Sequence, residues 1–154
     1  MLTRSLEDYL EAILIEEEKG VVRVKDLVKR LGVRAPSVVG ALKSLAEKGL
    51  VTHERYGHIA LTKKGRKKAE EVYNKHKTLL TFFREVLGVP DSIAEKDACS
   101  IEHYLSPETM KRFVSFIDFV NKCPEEEPRW IKAFKKFYEE GAYPEECEKR
   151  REGK

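Results

Sequence analysis

Gly32-Val33-Arg34-Ala35-Pro36-Ser37-Val38-Val39-Gly40-Ala41-Leu42-Lys43-Ser44-Leu45-Ala46-Glu47-Lys48-Gly49-Leu50-Val51 is the stretch on which the fold turns. Gly32 closes one helix, and Pro36 opens the next, where a missing N–H costs nothing in the first turn. Val38, Leu42, Leu45 and Ala46 recur at helical spacing as a buried face. Gly49 then stands where a left-handed residue ends a helix. The residues after it read as two short strands, 50–55 and 59–61, joined by Tyr56-Gly57-His58.

Before this stretch, Val24, Leu27, Val28 and Leu31 make a second helix over about 25–31, preceded by a short extended piece at 21–24. Further back, Ser5 is a plausible N-cap for a first helix reaching about residue 18, with Leu6, Tyr9, Leu10, Ile13 and Leu14 on its apolar side. Three helices followed by a basic-tipped hairpin predict a winged helix-turn-helix, whose third helix enters the major groove.

Charge agrees with that reading. The whole chain of 154 residues carries a net charge of only +3, but residues 19–68 hold fourteen Lys or Arg against three acids. Such an excess in a foldable segment predicts a surface for a polyanion. Arg34, Pro36, Ser37 and Lys43 are expected at the DNA-facing part of the third helix, with Arg55 and Tyr56 on the wing.

Thr62 caps a fourth helix expected to run to about residue 87, with a basic start and an apolar stripe that includes Val72, Leu79 and Phe83. Three more helices follow: one beginning at Asp91 or Ser92, one opened by Ser106-Pro107-Glu108, and a last aromatic one with Trp130, Phe134, Phe137 and Tyr138. These apolar seams need a partner, which predicts a second subunit. The fold class expected is mainly α: an N-terminal winged helix-turn-helix of three helices and a two-stranded wing (1–72), then an all-helical dimerisation and metal-binding domain (73–143), then a charged tail (144–154).

The second half contains Asp97-Ala98-Cys99-Ser100-Ile101-Glu102-His103. Read as helix, Cys99, Glu102 and His103 fall at i, i+3 and i+4, so a thiol, a carboxylate and an imidazole share one face beside the apolar Ala98, Ile101 and Leu105. That donor set suits a divalent transition metal better than calcium or magnesium. It is equally the polar edge of an amphipathic helix. Asp8 and Glu11 alone read as acids near a helix start, where they suit the dipole, and His76 alone reads as a core histidine.

Other classes fare worse. One helix face supplies ligands but not a nucleophile, an orienting base and an oxyanion hole together, and neither a glycine-rich phosphate loop nor a nucleophile elbow is present, so an enzyme is not expected. Three cysteines without a spacing motif do not suggest a disulfide framework. With no apolar run long enough to span a bilayer and no apolar segment after Met1, a cytoplasmic protein is expected, with no membrane partner and no organic substrate.

Ser5-Leu6-Glu7-Asp8-Tyr9-Leu10-Glu11-Ala12-Ile13, Ala35-Pro36-Ser37-Val38, Gly49-Leu50-Val51, Arg55-Tyr56-Gly57, Leu61-Thr62, His76 and Ile101-Glu102-His103-Tyr104-Leu105-Ser106 together carry a resemblance. In this order they resemble the metal-dependent repressors of the diphtheria toxin repressor and manganese transport regulator type, over about residues 3–121. The resemblance implies a homodimer that binds operator DNA when Mn²⁺ or Fe²⁺ is bound and controls metal uptake genes, with Ni²⁺, Co²⁺ or Zn²⁺ able to substitute. It also implies metal ligands at Asp8, Glu11, His76, Cys99, Glu102 and His103. Cys99 stands where the manganese branch has glutamate and the iron branch cysteine, whereas Asp8 stands where the iron branch has methionine. Gly40 stands where the iron branch has a base-facing glutamine. The SH3-like third domain of the iron branch is not expected. The alternative is a winged-helix regulator of a non-metal ligand, its Cys-Glu-His face purely structural.

Overall fold

The computed structural model describes residues 2–53, 57–124 and 127–141. Its elements are α1 (Arg4–Glu17), α2 (Val24–Leu31), α3 (Ala35–Glu47), β1 (Val51–His53), β2 (Ile59–Leu61), α4 (Lys63–Thr81), a π-helical turn (Phe82–Val86), α5 (Asp91–Ile101), α6 (Pro107–Asn121) and α7 (Arg129–Glu140). The chain divides into two compact units, Met1–Asn74 and Lys75–Lys154. No helix among the described residues is long and apolar enough to cross a membrane.

The first unit is built as a winged helix-turn-helix. Leu10 and Ile13 of α1, Leu27 of α2, and Val38, Leu42 and Leu45 of α3 are fully buried together with Val51 and Ile59 of the hairpin and Ala69 of α4. Burial of each large aliphatic side chain is worth roughly 1.5–3 kcal/mol relative to exposure, and this one cluster takes side chains from four helices and the hairpin. Gly32 and Gly49 both adopt left-handed φ, 64° and 68°, and close α2 and α3 as expected. Ala46, expected on the buried face, is exposed, because α3 buries only Val38, Leu42 and Leu45. The N-cap of the first helix lies two residues earlier than expected: the Thr3 hydroxyl, not Ser5, accepts the Leu6 N–H, at 3.4 Å.

The hairpin is antiparallel, with Val51 opposite Leu61 and His53 opposite Ile59. The first strand begins at Val51, one residue later than expected. The extended piece near Val21 contributes a single bridge, in which the Ile59 N–H donates to the Val22 carbonyl at 3.0 Å. Arg55 and Tyr56 lie outside the described residues.

Acids along α1 tie it to its neighbours within this unit. Glu16 pairs with Arg30 of α2 at 2.5 Å, and Glu7 lies 3.6 Å from Lys68 of α4. Hydrogen bonds from Arg30 and then Lys19 hold the Glu16 carboxyl below the usual carboxylate range.

In the second unit, Leu79, Ala98 and Met110 form one small core, and Val86, Ile117 and Ile131 another. The fourth helix does not run as α-helix to residue 87. It ends at Thr81 and passes into the π-helical turn, where the Leu87 N–H donates to the Phe82 carbonyl at 3.1 Å. One extra residue in the turn rotates the side chains that follow. Phe82 then meets Phe113 edge-on at 5.0 Å and Phe116 at 5.9 Å, contacts each worth about 0.5–1.5 kcal/mol beyond the buried area. Ser106 caps α6 as expected, accepting the Thr109 N–H at 3.2 Å, whereas the N-cap of α5 is Pro90 rather than Asp91 or Ser92.

Candidate functional site

Within the second unit, three of the expected ligands converge. His76 lies on α4. Glu102 caps the C-terminus of α5, its N–H donating to the Ala98 carbonyl at 3.1 Å, and His103 lies in the turn that follows. Cys99 and Glu102 keep the expected helical spacing, because the Glu102 cap is still right-handed helical, whereas His103 lies beyond the helix end. Glu102 is 1% exposed, while Ile101 is 38% exposed rather than anchored in the core. Cys99 is half-buried, one turn before Glu102.

Glu102 occupies the centre. Its Oε2 lies 3.0 Å from His76 Nδ1, and its Oε1 lies 3.1 Å from His103 Nε2. The second contact is not a hydrogen bond, and among the described residues Glu102 Oε1 accepts none. A buried carboxylate oxygen without a donor is costly, by about 1–3 kcal/mol or more for a charged group. Two ligand atoms each about 2.1 Å from one ion at right angles lie about 3.0 Å apart, so a carboxylate oxygen and an imidazole nitrogen at this separation suit a shared divalent metal. The residues fit the group the family implies.

His76 has a second neighbour that the sequence reading missed. Its Nε2 lies 3.3 Å from Oε1 of the exposed Glu95, so carboxylates face both ring nitrogens. A neutral imidazole donates from only one of them. Glu95 sits one helical turn before Cys99 on α5, and that i, i+4 spacing was the signal available.

In the first unit, Asp8 and Glu11 lie one turn apart on α1, Asp8 half-buried and Glu11 buried at 8% exposure. Burial first, and the Asp8 carboxylate second, push the Tyr9 hydroxyl above its ordinary range.

The residues expected to face nucleic acid lie at or just before α3. Arg34 is its N-cap residue, and Arg34, Pro36, Ser37 and Lys43 are all exposed while Val38, Leu42 and Leu45 point inward. Pro36, Val39, Gly40 and Lys43 recur at i, i+3, i+4 and i+7 as one outward stripe. Val39, 49% exposed, belongs to it and was not expected there. With Val38 in the core, its neighbour has to point elsewhere, which is the cue the Val38-Val39 pair offered.

The chain is 36% identical over 119 residues to an uncharacterised HTH-type transcriptional regulator of Methanocaldococcus jannaschii, across 76% of this chain and 95% of that protein. It is 36% identical over 120 residues to the HTH-type transcriptional regulator MntR of Shouchella clausii, across 77% of this chain and 83% of that one. Among solved structures, a manganese-dependent transcriptional repressor in complex with manganese superposes with a TM-score of 0.68 at 32% identity, over 80% of this chain and 55% of that one. The IdeR of T. acidophilum does so with a TM-score of 0.66 at 26% identity, over 83% of this chain and 59% of that one. This chain thus spans little more than half the length of those structural relatives. Residues 1–59 match the N-terminal DNA binding domain of the iron dependent repressors, and residues 62–131 match their metal binding and dimerisation domain. The chain belongs to the iron dependent repressor family of metal-dependent transcriptional regulators.

Proposed function

We propose that the protein represses transcription by binding operator DNA as a homodimer when a divalent transition metal, Mn²⁺ or Fe²⁺, is bound, and so controls metal uptake genes. The observation that carries the reading is the buried Glu102 carboxylate between two imidazoles, with one oxygen that accepts no hydrogen bond among the described residues. His76, Glu102 and His103 would hold the metal from the metal-binding domain, joined by Cys99 and, from the DNA-binding domain, by Asp8 and Glu11. Bound there, the metal supplies positive charge that offsets mutually repelling carboxylates.

The residues of the first unit do the rest. Asp8 and Glu11 lie on α1, whose Leu10 and Ile13 share a core with Leu42 of α3, so a constraint on α1 is a constraint on the helix carrying Arg34, Ser37 and Lys43. Arg34 and Lys43 supply charge for phosphate or guanine contacts, Pro36 and Ser37 approach the groove at the helix start, and Arg55 and Tyr56 are assigned to the backbone from the wing. Exposed Phe119, Trp130 and Tyr138 on α6 and α7 support a second copy as the partner of the metal-binding domain.

A gel-shift titration on an operator selected from random duplexes tests the reading. Operator affinity should rise roughly 5–150-fold from chelator to saturating Mn²⁺ or Fe²⁺, a coupling of about 1–3 kcal/mol. Equal affinity in both conditions would overturn it.

Cys99 sets an expectation for metal choice. A thiolate favours Fe²⁺, Co²⁺, Ni²⁺ or Zn²⁺ over Mn²⁺, whereas the oxygens of Asp8, Glu11 and Glu102 favour Mn²⁺. Cys99→Glu should therefore improve the Mn²⁺ response relative to Ni²⁺ or Zn²⁺ in the same titration. An unchanged ranking of activating metals would make Cys99 a packing residue.

A further inference from the structure

β2 is an edge strand, and its outward amides would ordinarily be left to solvent or to another chain. Here both are closed by the segment that leaves α1. The Ile59 N–H donates to the Val22 carbonyl at 3.0 Å, and the Leu61 N–H donates to Oε1 of Glu17 at 2.9 Å. Glu17 is the last residue of α1, and its side chain is 17% exposed. Its other oxygen, Oε2, pairs with Arg66 in the first turns of α4 at 2.5 Å. One carboxylate thus stands in for a missing strand along the edge of the wing and also reaches the helix that follows it.

We propose that Glu17 is a latch that makes the wing follow α1, and that through it the placement of the wing becomes part of the metal response. The inference rests on the metal-activated reading, since the helix that ends in Glu17 also carries Asp8 and Glu11. The position of α3 on α1 is set by shared apolar packing, and the wing strands share that core through Val51 and Ile59. The wing root is held in addition by a directional hydrogen bond of fixed length, and a shift of α1 that keeps this bond has to carry Leu61 with it. Glu17 is a positioning residue, distinct from the proposed ligands and from the proposed DNA contacts.

Two conservative variants separate the latch from the ion pair. Glu17→Gln keeps the length and the acceptor for the Leu61 N–H but drops the charge facing Arg66. Glu17→Asp keeps the charge but is one methylene too short to reach the Leu61 amide. Three quantities are measured on the full chain: hydrogen exchange of the Leu61 amide, Mn²⁺ affinity without DNA by calorimetry, and the ratio of operator affinity in Mn²⁺ to that in chelator. Glu17→Asp should lose Leu61 protection and about tenfold of the affinity ratio, with Mn²⁺ affinity in the absence of DNA unchanged. Glu17→Gln should keep all three near their wild-type values. A purely structural role would lower operator affinity equally with and without Mn²⁺, leaving the ratio intact, and that result overturns the proposal. So does the reverse pattern, with Gln impaired and Asp normal, or loss of the ratio in both variants, because either assigns the effect to the Arg66 pair. A wild-type ratio of one would instead remove the metal-activated reading itself.

Discussion

Replacing Glu102 by Gln should cost the protein its metal response while leaving its fold standing. Glutamine has nearly the same shape, and its amide oxygen can still accept from His76 Nδ1, the 3.0 Å contact that ties α4 to the end of α5. What it removes is the anionic oxygen 3.1 Å from His103 Nε2. An amide is a poor metal donor, and the site loses one negative charge. Loss of a partner that merely orients a ligand costs about 10–100-fold in metal affinity, and loss of a ligand itself should exceed that. Calorimetric titration with Mn²⁺ should therefore show affinity down by more than about 100-fold. In chelator, the melting curve should stay close to that of the wild type, since the substitution leaves the buried volume almost unchanged. Mn²⁺ affinity within threefold of wild type would mean that Glu102 is a structural partner of two histidines and nothing more.

The DNA-binding unit is legible in the sequence where local chemistry decides. Gly32 and Gly49 end their helices because the left-handed conformation they adopt strains any other residue, and Pro36 marks the start of α3 within one position. Side-chain rotation inside an unbroken apolar run was not legible. Nothing in Thr81-Phe82-Phe83 announces a π-helical turn, because its reason is the fit of Phe82 against Phe113 and Phe116 more than thirty residues away. The candidate site divides the same way. Cys99, Glu102 and His103 could be grouped by spacing, yet the helix that the spacing assumes reaches only to the Glu102 cap and leaves His103 in the turn beyond it. Glu95 and Glu17 stood among 27 acidic residues, and only the partners they meet across the fold, His76 and the Leu61 amide, single them out. A residue whose role lies in a long-range contact leaves little trace in one sequence.

Gly65 shows that limit in its sharpest form, and it yields a stability prediction whose sign reverses between two helices. In an exposed helix, Gly→Ala stabilises by about 0.8–1.0 kcal/mol, because alanine has less backbone freedom to lose. Gly40 meets that condition: it is exposed on α3, and a Cβ built there meets nothing within 4 Å. At Gly65, in the first turn of α4, the same Cβ would lie 1.7 Å from the Leu50 carbonyl oxygen and 2.7 Å from its carbon. Those are backbone atoms at the root of the wing, so no side chain can swing aside. The Leu50 carbonyl also accepts the Thr62 N–H at 3.0 Å, while the Thr62 hydroxyl donates to the Gly49 carbonyl at 2.7 Å and accepts the Gly65 N–H at 3.0 Å. Moving Leu50 away from a new methyl group would loosen the whole junction of α3, β1 and α4. Overpacking of this kind costs about 3 kcal/mol, which outweighs the helix preference and leaves a net loss of about 2 kcal/mol. For a unit of this size that lowers the melting temperature by about 8–16 °C. Thermal unfolding followed by circular dichroism in chelator should show Gly65→Ala falling by that margin and Gly40→Ala rising by a few degrees. A Gly65→Ala protein as stable as the wild type would mean that α4 does not approach the wing root as closely as Leu50 and Thr62 require.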